Sequence, residues 1–136
     1  MKRREFIALS AAATLMPIAA QAADTLDYTP GLVKERLAAG ETVFVDFKAD
    51  WCTTCRAQER VIGALRAENA AYDEAITFIN VDWDEYGRGD LALELNIPRR
   101  STLVVMRGED ELGRLVARTS RSDIQGLLDT ALAASS

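Results

Sequence analysis

The sequence predicts an α/β domain, with a central mixed sheet of four to five strands and helices on both faces. Short runs of β-branched and aromatic residues alternate with longer segments whose apolar residues recur at helical spacing. The order strand–helix–strand in the first half requires parallel pairing, whereas the last two strands are close enough in sequence to form a hairpin. At 136 residues, 49% of them hydrophobic, the chain has room for one such domain.

Four strands are predicted from composition. They cover residues 42–47 (TVFVDF), 76–81 (ITFINV), 102–106 (TLVVM) and 112–118. A turn at 108–110 joins the last two.

The first and last helices are predicted from their end signals. The first should begin at Pro30 with Thr29 as its cap, and Gly40 should end it. The last should follow Ser120, with Asp123 completing a capping box.

Two further helices are expected between the strands. The longer covers 53–70 and should bury Val61, Ile62 and Leu65. The shorter covers 90–95.

Residues 1–22 predict an export signal. A basic head at 2–4 precedes an apolar run at 6–20, which is too short to span a bilayer comfortably, and small residues precede the expected cleavage after Ala22. The paired arginines resemble a twin-arginine signal, with an ordinary secretory signal as the alternative. Cleavage would leave a periplasmic domain of residues 23–136, in a compartment where disulfides persist.

Charge and composition exclude several functions. The net charge is −5, and the arginines are scattered, so no nucleic-acid partner is expected. The chain has no histidine, which excludes Cys–His and Ser–His catalysis and any metal site that needs imidazole. No metal site is predicted.

The chemistry is expected at the two cysteines. Cys52 and Cys55 follow Trp51 where a buried strand ends and a helix begins. A sulfur at a helix N-terminus is stabilised as a thiolate by free backbone N–H groups and the helix dipole. Cys55, one turn later and more enclosed, can attack a mixed disulfide formed at Cys52. A structural disulfide is the alternative, although so small a loop restrains the unfolded chain little.

The segment VDFKADWCTTCR at 45–56 resembles the active-site segment of thioredoxins. It is closer still to the C-terminal thioredoxin-like domain of the periplasmic electron carrier DsbD, which has a similar Ala-Asp-Trp-Cys. The segments at 79–82, 102–106 and 116–124 follow in the family's order. The resemblance implies the thioredoxin fold and dithiol–disulfide exchange, with Cys52 attacking, Cys55 resolving and no cofactor beyond their disulfide. It also implies protein thiol or disulfide clients and a membrane reductase of the DsbD type.

By the same resemblance, Asp46 matches a buried aspartate that helps to move a proton at the inner thiol. The family's lysine partner for that aspartate would fall at Phe78 and is missing. Lys48 lies on the same face of the strand as Asp46. We therefore expect Lys48 to replace the missing partner in part and to favour the Cys52 thiolate; a lysine that simply extends to solvent is the alternative.

Thioredoxins place a cis-proline opposite the active site, and here Ser101 occupies that position. Its peptide bond with Arg100 is either cis or trans, or the loop is shifted so that Pro98 serves instead. Trp51, Ser101 and Thr102 are expected to bind or tune the substrate. Backbone recognition of an extended client beside Cys52 is expected if the loop that precedes Ser101 keeps its shape. Arg99 and Arg100 would then line the approach, or form a solvated loop.

The leading functional hypothesis is an exported reductase or electron carrier. The dipeptide Thr53-Thr54 lacks the histidine found in strongly oxidising relatives. The alternatives are a periplasmic oxidant or isomerase, a Cu(I)-binding carrier that uses the two thiolates, and a non-catalytic adaptor.

Overall fold

The computed structural model describes residues 24–136, so the predicted export signal lies outside the described residues. The strands are β1 Leu26–Asp27, β2 Thr42–Lys48, β3 Ile76–Asp82, β4 Thr102–Arg107 and β5 Asp110–Val116. The helices are α1 Leu32–Ala38, α2 Thr53–Glu68, α3 Ala70–Ala75, α4 Trp83–Tyr86, α5 Asp90–Glu94 and α6 Arg121–Ala134.

The strands form one mixed sheet in the order β1-β3-β2-β4-β5. β3 pairs in parallel with β1 and β2, while β4 runs antiparallel to both β2 and β5. The four predicted strands are therefore confirmed, and the two-residue β1 makes the fifth. β2 lies at the centre, so the residues that follow it emerge from the middle of the sheet.

Side chains alternate along β2 between two apolar layers. Phe44 points into the layer formed with α2, α3 and α6, whereas Val43, Val45 and Phe47 point into the layer formed with α1 and α5. Both layers are sealed, since these four side chains expose at most 1% of their surface. The predicted helices on both faces are confirmed.

The predicted start of α1 is wrong by two residues. The helix begins at Leu32, and Gly31 takes the cap position with a left-handed backbone, φ 90°. The Leu32 N–H donates to the Thr29 carbonyl at 3.0 Å, so Thr29 and Pro30 form a turn before the helix. Gly40 ends the segment at φ 85°, as predicted.

The helix predicted over 53–70 is α2, which ends two residues earlier at Glu68, and a separate helix that was not predicted, α3, begins at Ala70. Asn69 has an extended backbone that ends α2, and its side chain accepts a hydrogen bond from the Ala71 N–H at 3.1 Å, which caps α3. Ile62 and Leu65 are buried and Val61 packs beside them, as expected.

The last two elements follow the prediction with one shift. β5 begins and ends two residues earlier than expected, because Ala117 takes a left-handed backbone, φ 56°, and leaves the strand. Ser120 caps α6, and its hydroxyl accepts from the Asp123 N–H at 3.2 Å. Along β5, Asp110, Glu111 and Arg114 line the open edge of the sheet, and this strand has no fully buried residue.

Across residues 24–136, every helix is too short or too polar to span a bilayer.

Candidate active site

Cys52 is the N-cap of α2. Its backbone is extended, φ −89° and ψ 112°, and its Sγ accepts a hydrogen bond from the Cys55 N–H at 3.1 Å. Because no acidic residue lies in the first turn of α2, the backbone amides there act on the sulfur without a competing carboxylate.

The two sulfurs are joined as a disulfide, with the Cα atoms 5.2 Å apart. The sequence predicted Cys55 to be more enclosed than Cys52, but both are enclosed: Cys52 exposes 2% of its surface and Cys55 1%. The cover consists of Ala49, the partly buried Trp83 and the Ser101 loop. The oxidised site therefore presents almost no sulfur to solvent.

Ser101 lies against the disulfide, as its position predicted. Its Oγ is 3.2 Å from Cys52 Sγ and 3.1 Å from Cys55 Sγ, and the residue is completely buried. Within residues 24–136 every peptide bond is trans, including Arg100–Ser101. The chain instead accommodates Ser101 with a left-handed backbone, φ 65°.

The backbone of Ser101 is already paired inside the protein. Its N–H donates to the Phe47 carbonyl at 2.7 Å. Its carbonyl accepts from the Ala117 N–H and from Gln58 Nε2, both at 2.9 Å. Neither backbone group of Ser101 itself is therefore free to pair with a client, and the expected recognition of an extended client by the loop that precedes Ser101 stays a prediction.

Thr102 holds the same loop together. Its hydroxyl donates to the Arg99 carbonyl at 2.7 Å, and the residue is fully buried. Thr102 therefore shapes the loop from within, whereas Ser101 meets the sulfurs.

Gln58 is a site residue that sequence reasoning missed. It is completely buried on α2, and its Nε2 donates to the carbonyls of Ser101 and Arg118, the latter at 3.0 Å. A polar residue between Cys55 and Ile62 on the helix face predicted to be buried was the available signal.

Asp46 is buried on β2 with 5% of its surface exposed. Burial raises its pKa to about 7, which makes it a carboxyl that exchanges its proton near neutral pH. Its Oδ1 has no hydrogen-bond partner. It borders a cavity of about 130 Å³ that Glu59, Arg66 and Phe78 also line.

Lys48 lies on the same face of β2 as Asp46, as expected, but its direct partner is Glu59. Nζ is 2.7 Å from Glu59 Oε1. The Lys48 charge lowers the pKa of Asp46, and the Glu59 charge raises it. At the position of the family's missing lysine, the Phe78 ring carries the Arg66 guanidinium, 3.8 Å above its centroid.

Trp51 is the exposed member of the site, with 55% of its surface accessible. Its Nε1 donates to the Asp84 carboxylate at 3.0 Å, and the Arg100 guanidinium lies 4.4 Å from the ring centroid. Arg100 therefore joins the Ser101 loop to the active-site turn. Asp84 was missed because α4, which carries it, is only four residues long.

Within residues 24–136, no group of three or more cysteine, aspartate or glutamate side chains is arranged to hold a metal ion.

Comparison with known proteins agrees with this geometry. Residues 26–130 match the thioredoxin family. Among curated relatives, a thioredoxin H-type of Brassica campestris is 27% identical over 121 residues, covering 88% of this chain and 93% of the relative. Thioredoxin H2-1 of Oryza sativa is 30% identical over 94 residues, and the match spans 69% of this chain and 63% of the relative.

Solved structures show the same fold. Trxlp of Edwardsiella tarda superimposes with a TM-score of 0.66 at 28% identity, covering 76% of this chain and 98% of that one. The thioredoxin of Malassezia sympodialis superimposes with a TM-score of 0.62 at 21% identity, covering 80% and 95%.

A cysteine pair that starts a helix after the central strand of such a sheet defines a protein-disulfide oxidoreductase of the thioredoxin fold. The chain belongs to the thioredoxin family.

Proposed function

We propose that the chain is an exported reductase or electron carrier that exchanges its Cys52–Cys55 dithiol with the disulfides of protein clients in the periplasm. The observation that carries this proposal is the hydrogen bond from the Cys55 N–H to Cys52 Sγ at the start of α2. After reduction the same amide stabilises a Cys52 thiolate, which is the nucleophile of disulfide exchange.

The exchange takes two steps. The Cys52 thiolate attacks a client disulfide, forms a mixed disulfide and displaces one client sulfur as a thiolate. Cys55 then loses its proton and attacks Cys52 Sγ, which restores the Cys52–Cys55 disulfide and releases the second client sulfur, protonated. The client gains two electrons and the protein loses two.

Asp46 is the group we propose for the proton of Cys55. With a pKa of about 7 it is partly ionised at neutral pH, so it can accept a proton and return it. Its Oδ1 has no partner, and Asp46 borders a cavity with room for water, through which the carboxyl can exchange its proton with solvent.

The proposed direction is reduction. No histidine lies between the two cysteines to stabilise the reduced form further. An exported reductant needs electrons from across the membrane. The likeness of residues 49–52 to the DsbD C-terminal domain supports a membrane reductase of that type as the donor.

Trapping tests the exchange. Cys55→Ala removes the resolving sulfur and should leave Cys52 joined to clients as mixed disulfides, released by a thiol reductant and visible on a non-reducing gel. The double variant Cys52→Ala/Cys55→Ala is the matched control and should trap nothing. If Cys55→Ala traps no protein in the compartment where the chain is found, the proposed exchange is wrong.

The reduction potential tests the direction. A value of about −270 mV supports the reductase, and a value of about −120 mV would favour the oxidant instead. Tight one-to-one Cu(I) binding by the reduced protein, without disulfide reductase activity, would favour the carrier.

Export has its own test. A mature N-terminus at Ala23 in a periplasmic extract, read by mass spectrometry, supports the proposed localisation. An intact chain confined to the cytoplasm contradicts it.

A further inference from the structure

The Ser101 hydroxyl is the one side-chain oxygen shown within hydrogen-bond distance of both sulfurs in residues 24–136. It lies 3.2 Å from Cys52 Sγ and 3.1 Å from Cys55 Sγ, and none of Ser101 is exposed to solvent. Because the residue is fully buried, bulk solvent does not reach this hydroxyl and the interaction acts at a low local dielectric.

The direction of the hydrogen bond follows from the redox state. Disulfide sulfurs carry no hydrogen, so in the oxidised protein the hydroxyl must be the donor. A neutral disulfide sulfur is a weak acceptor, whereas a thiolate is a charged and strong one. The bond from Ser101 therefore strengthens when the disulfide is reduced.

The hydroxyl is held where the thiolate forms. The Ser101 N–H is bonded to the Phe47 carbonyl, and the Ser101 carbonyl is bonded to Gln58 and Ala117. These bonds fix the residue to the central strand, to α2 and to the end of β5. A donor fixed in this way needs little reorganisation when the negative charge develops.

We propose that Ser101 is a catalytic residue, whose hydroxyl donates a hydrogen bond to the Cys52 thiolate of the reduced protein and accepts one from the Cys55 thiol. Reduction by a partner dithiol adds two electrons and one proton to the disulfide and yields one thiolate and one thiol. The hydroxyl binds both products and is not itself consumed. This role rests on the proposed dithiol exchange and applies in either direction of electron flow.

The test is the pKa of Cys52, read from the ultraviolet absorbance of its thiolate. Titration in a Cys55→Ala background leaves a single titrating sulfur and avoids coupled titration. Ser101→Ala and Ser101→Gly both remove the hydroxyl, and glycine also tolerates the left-handed backbone at this position. Each should raise the pKa of Cys52 by about one pH unit, because the loss of a charge-assisted hydrogen bond destabilises the thiolate.

Thr42→Val is the matched control. Thr42 is a buried residue at the other end of β2, and its hydroxyl is bonded to Arg107 and Ser135 rather than to sulfur. This variant should leave the pKa of Cys52 unchanged.

In the chain with both cysteines, losing the Ser101 hydroxyl should shift the exchange equilibrium about tenfold toward the disulfide. A Cys52 pKa that stays within experimental error in both folded Ser101 variants overturns the inference, even where Cys55→Ala traps clients. If Cys55→Ala traps no clients but the Ser101 variants raise the pKa of Cys52, the result contradicts the proposed function and not the role of Ser101.

Discussion

Lys48 and Glu59 form an ion pair, Nζ to Oε1 at 2.7 Å, and their charges act in opposite directions on the buried Asp46 carboxyl. Removing either partner of the ion pair should therefore shift the pKa of Asp46. We expect Lys48→Met to raise the pKa of Asp46 above about 7, by about one pH unit, and Glu59→Gln to lower it.

A carbon-13 NMR titration of the Asp46 carboxyl measures both shifts. The control is Lys34→Met, which breaks an exposed ion pair with Glu94 beside the other face of the sheet and should not move the Asp46 titration. Shifts of the same sign in Lys48→Met and Glu59→Gln would contradict the opposed charges. In the reduced protein, Lys48→Met also tests whether Lys48 favours the Cys52 thiolate. An unchanged pKa of Cys52 in this variant would refute that role of Lys48.

Asp46 makes stability depend on pH. Burial raises its pKa from 3.8 to about 7, so the folded chain binds a proton between these values that the unfolded chain releases. The stabilisation is complete below about pH 4 and is lost as the pH rises through about 7. Asp46→Asn keeps a neutral group, and we expect it to be more stable than the wild type at about pH 8, by on the order of 4 kcal/mol at most.

Urea unfolding of the disulfide form across this pH range measures that difference. The difference in the free energy of unfolding should shrink toward zero at about pH 4. Glu109→Gln, in the exposed β4–β5 turn, is the control and should follow the wild-type curve. A constant gap between Asp46→Asn and the wild type at every pH would rule out a titrating Asp46 as its cause.

Gln58 should matter for both stability and the site. Gln58→Met keeps the volume but removes the donor to the Ser101 and Arg118 carbonyls, and should lower the free energy of unfolding by about 2 kcal/mol. Because the Ser101 loop loses one of its bonds, the pKa of Cys52 should rise as well. The exposed Gln125→Met on α6 is the matched control for both measurements. A loss of stability with no change in the pKa of Cys52 would show that Gln58 has a purely structural role.

Arg100 should slow access to the disulfide. Its guanidinium lies on the Trp51 ring, and this contact ties the Ser101 loop over two cysteines that expose at most 2% of their surface. Arg100→Ala removes a contact of about 0.5–1 kcal/mol, so reduction by dithiothreitol should become about two- to fivefold faster. Arg60→Ala, an exposed cation on α2, should leave the rate unchanged. A slower reaction in Arg100→Ala would show that Arg100 assists entry rather than closing the loop.

Much of the fold was predictable because its signals are local. β2, β3 and β4 were located to within one residue at each end, since each is a continuous β-branched and aromatic run between turn residues. The first helix was placed too early because Thr29-Pro30 has the composition of a helix start, while Gly31 takes the cap conformation. The two-residue β1 and the four-residue α4 carry too few residues for any periodicity.

The site was predictable in its positions and not in its contacts. The strand before Cys52 and the helix after it indicated the helix start, and the resemblance to thioredoxins placed Ser101 opposite the two cysteines. Its trans bond and left-handed backbone depend on partners that are distant in sequence, such as Phe47 and Gln58. The pairing of Lys48 with Glu59 likewise depends on how α2 lies on β2.

The charged side chains of the outer strand β5 disfavour pairing with a strand of another molecule in concentrated solution. An extended segment of another molecule that paired with this strand would have to displace water from the exposed carboxylates of Asp110 and Glu111. That penalty discourages lateral stacking of sheets, so this border of the molecule is protected against growth into fibres.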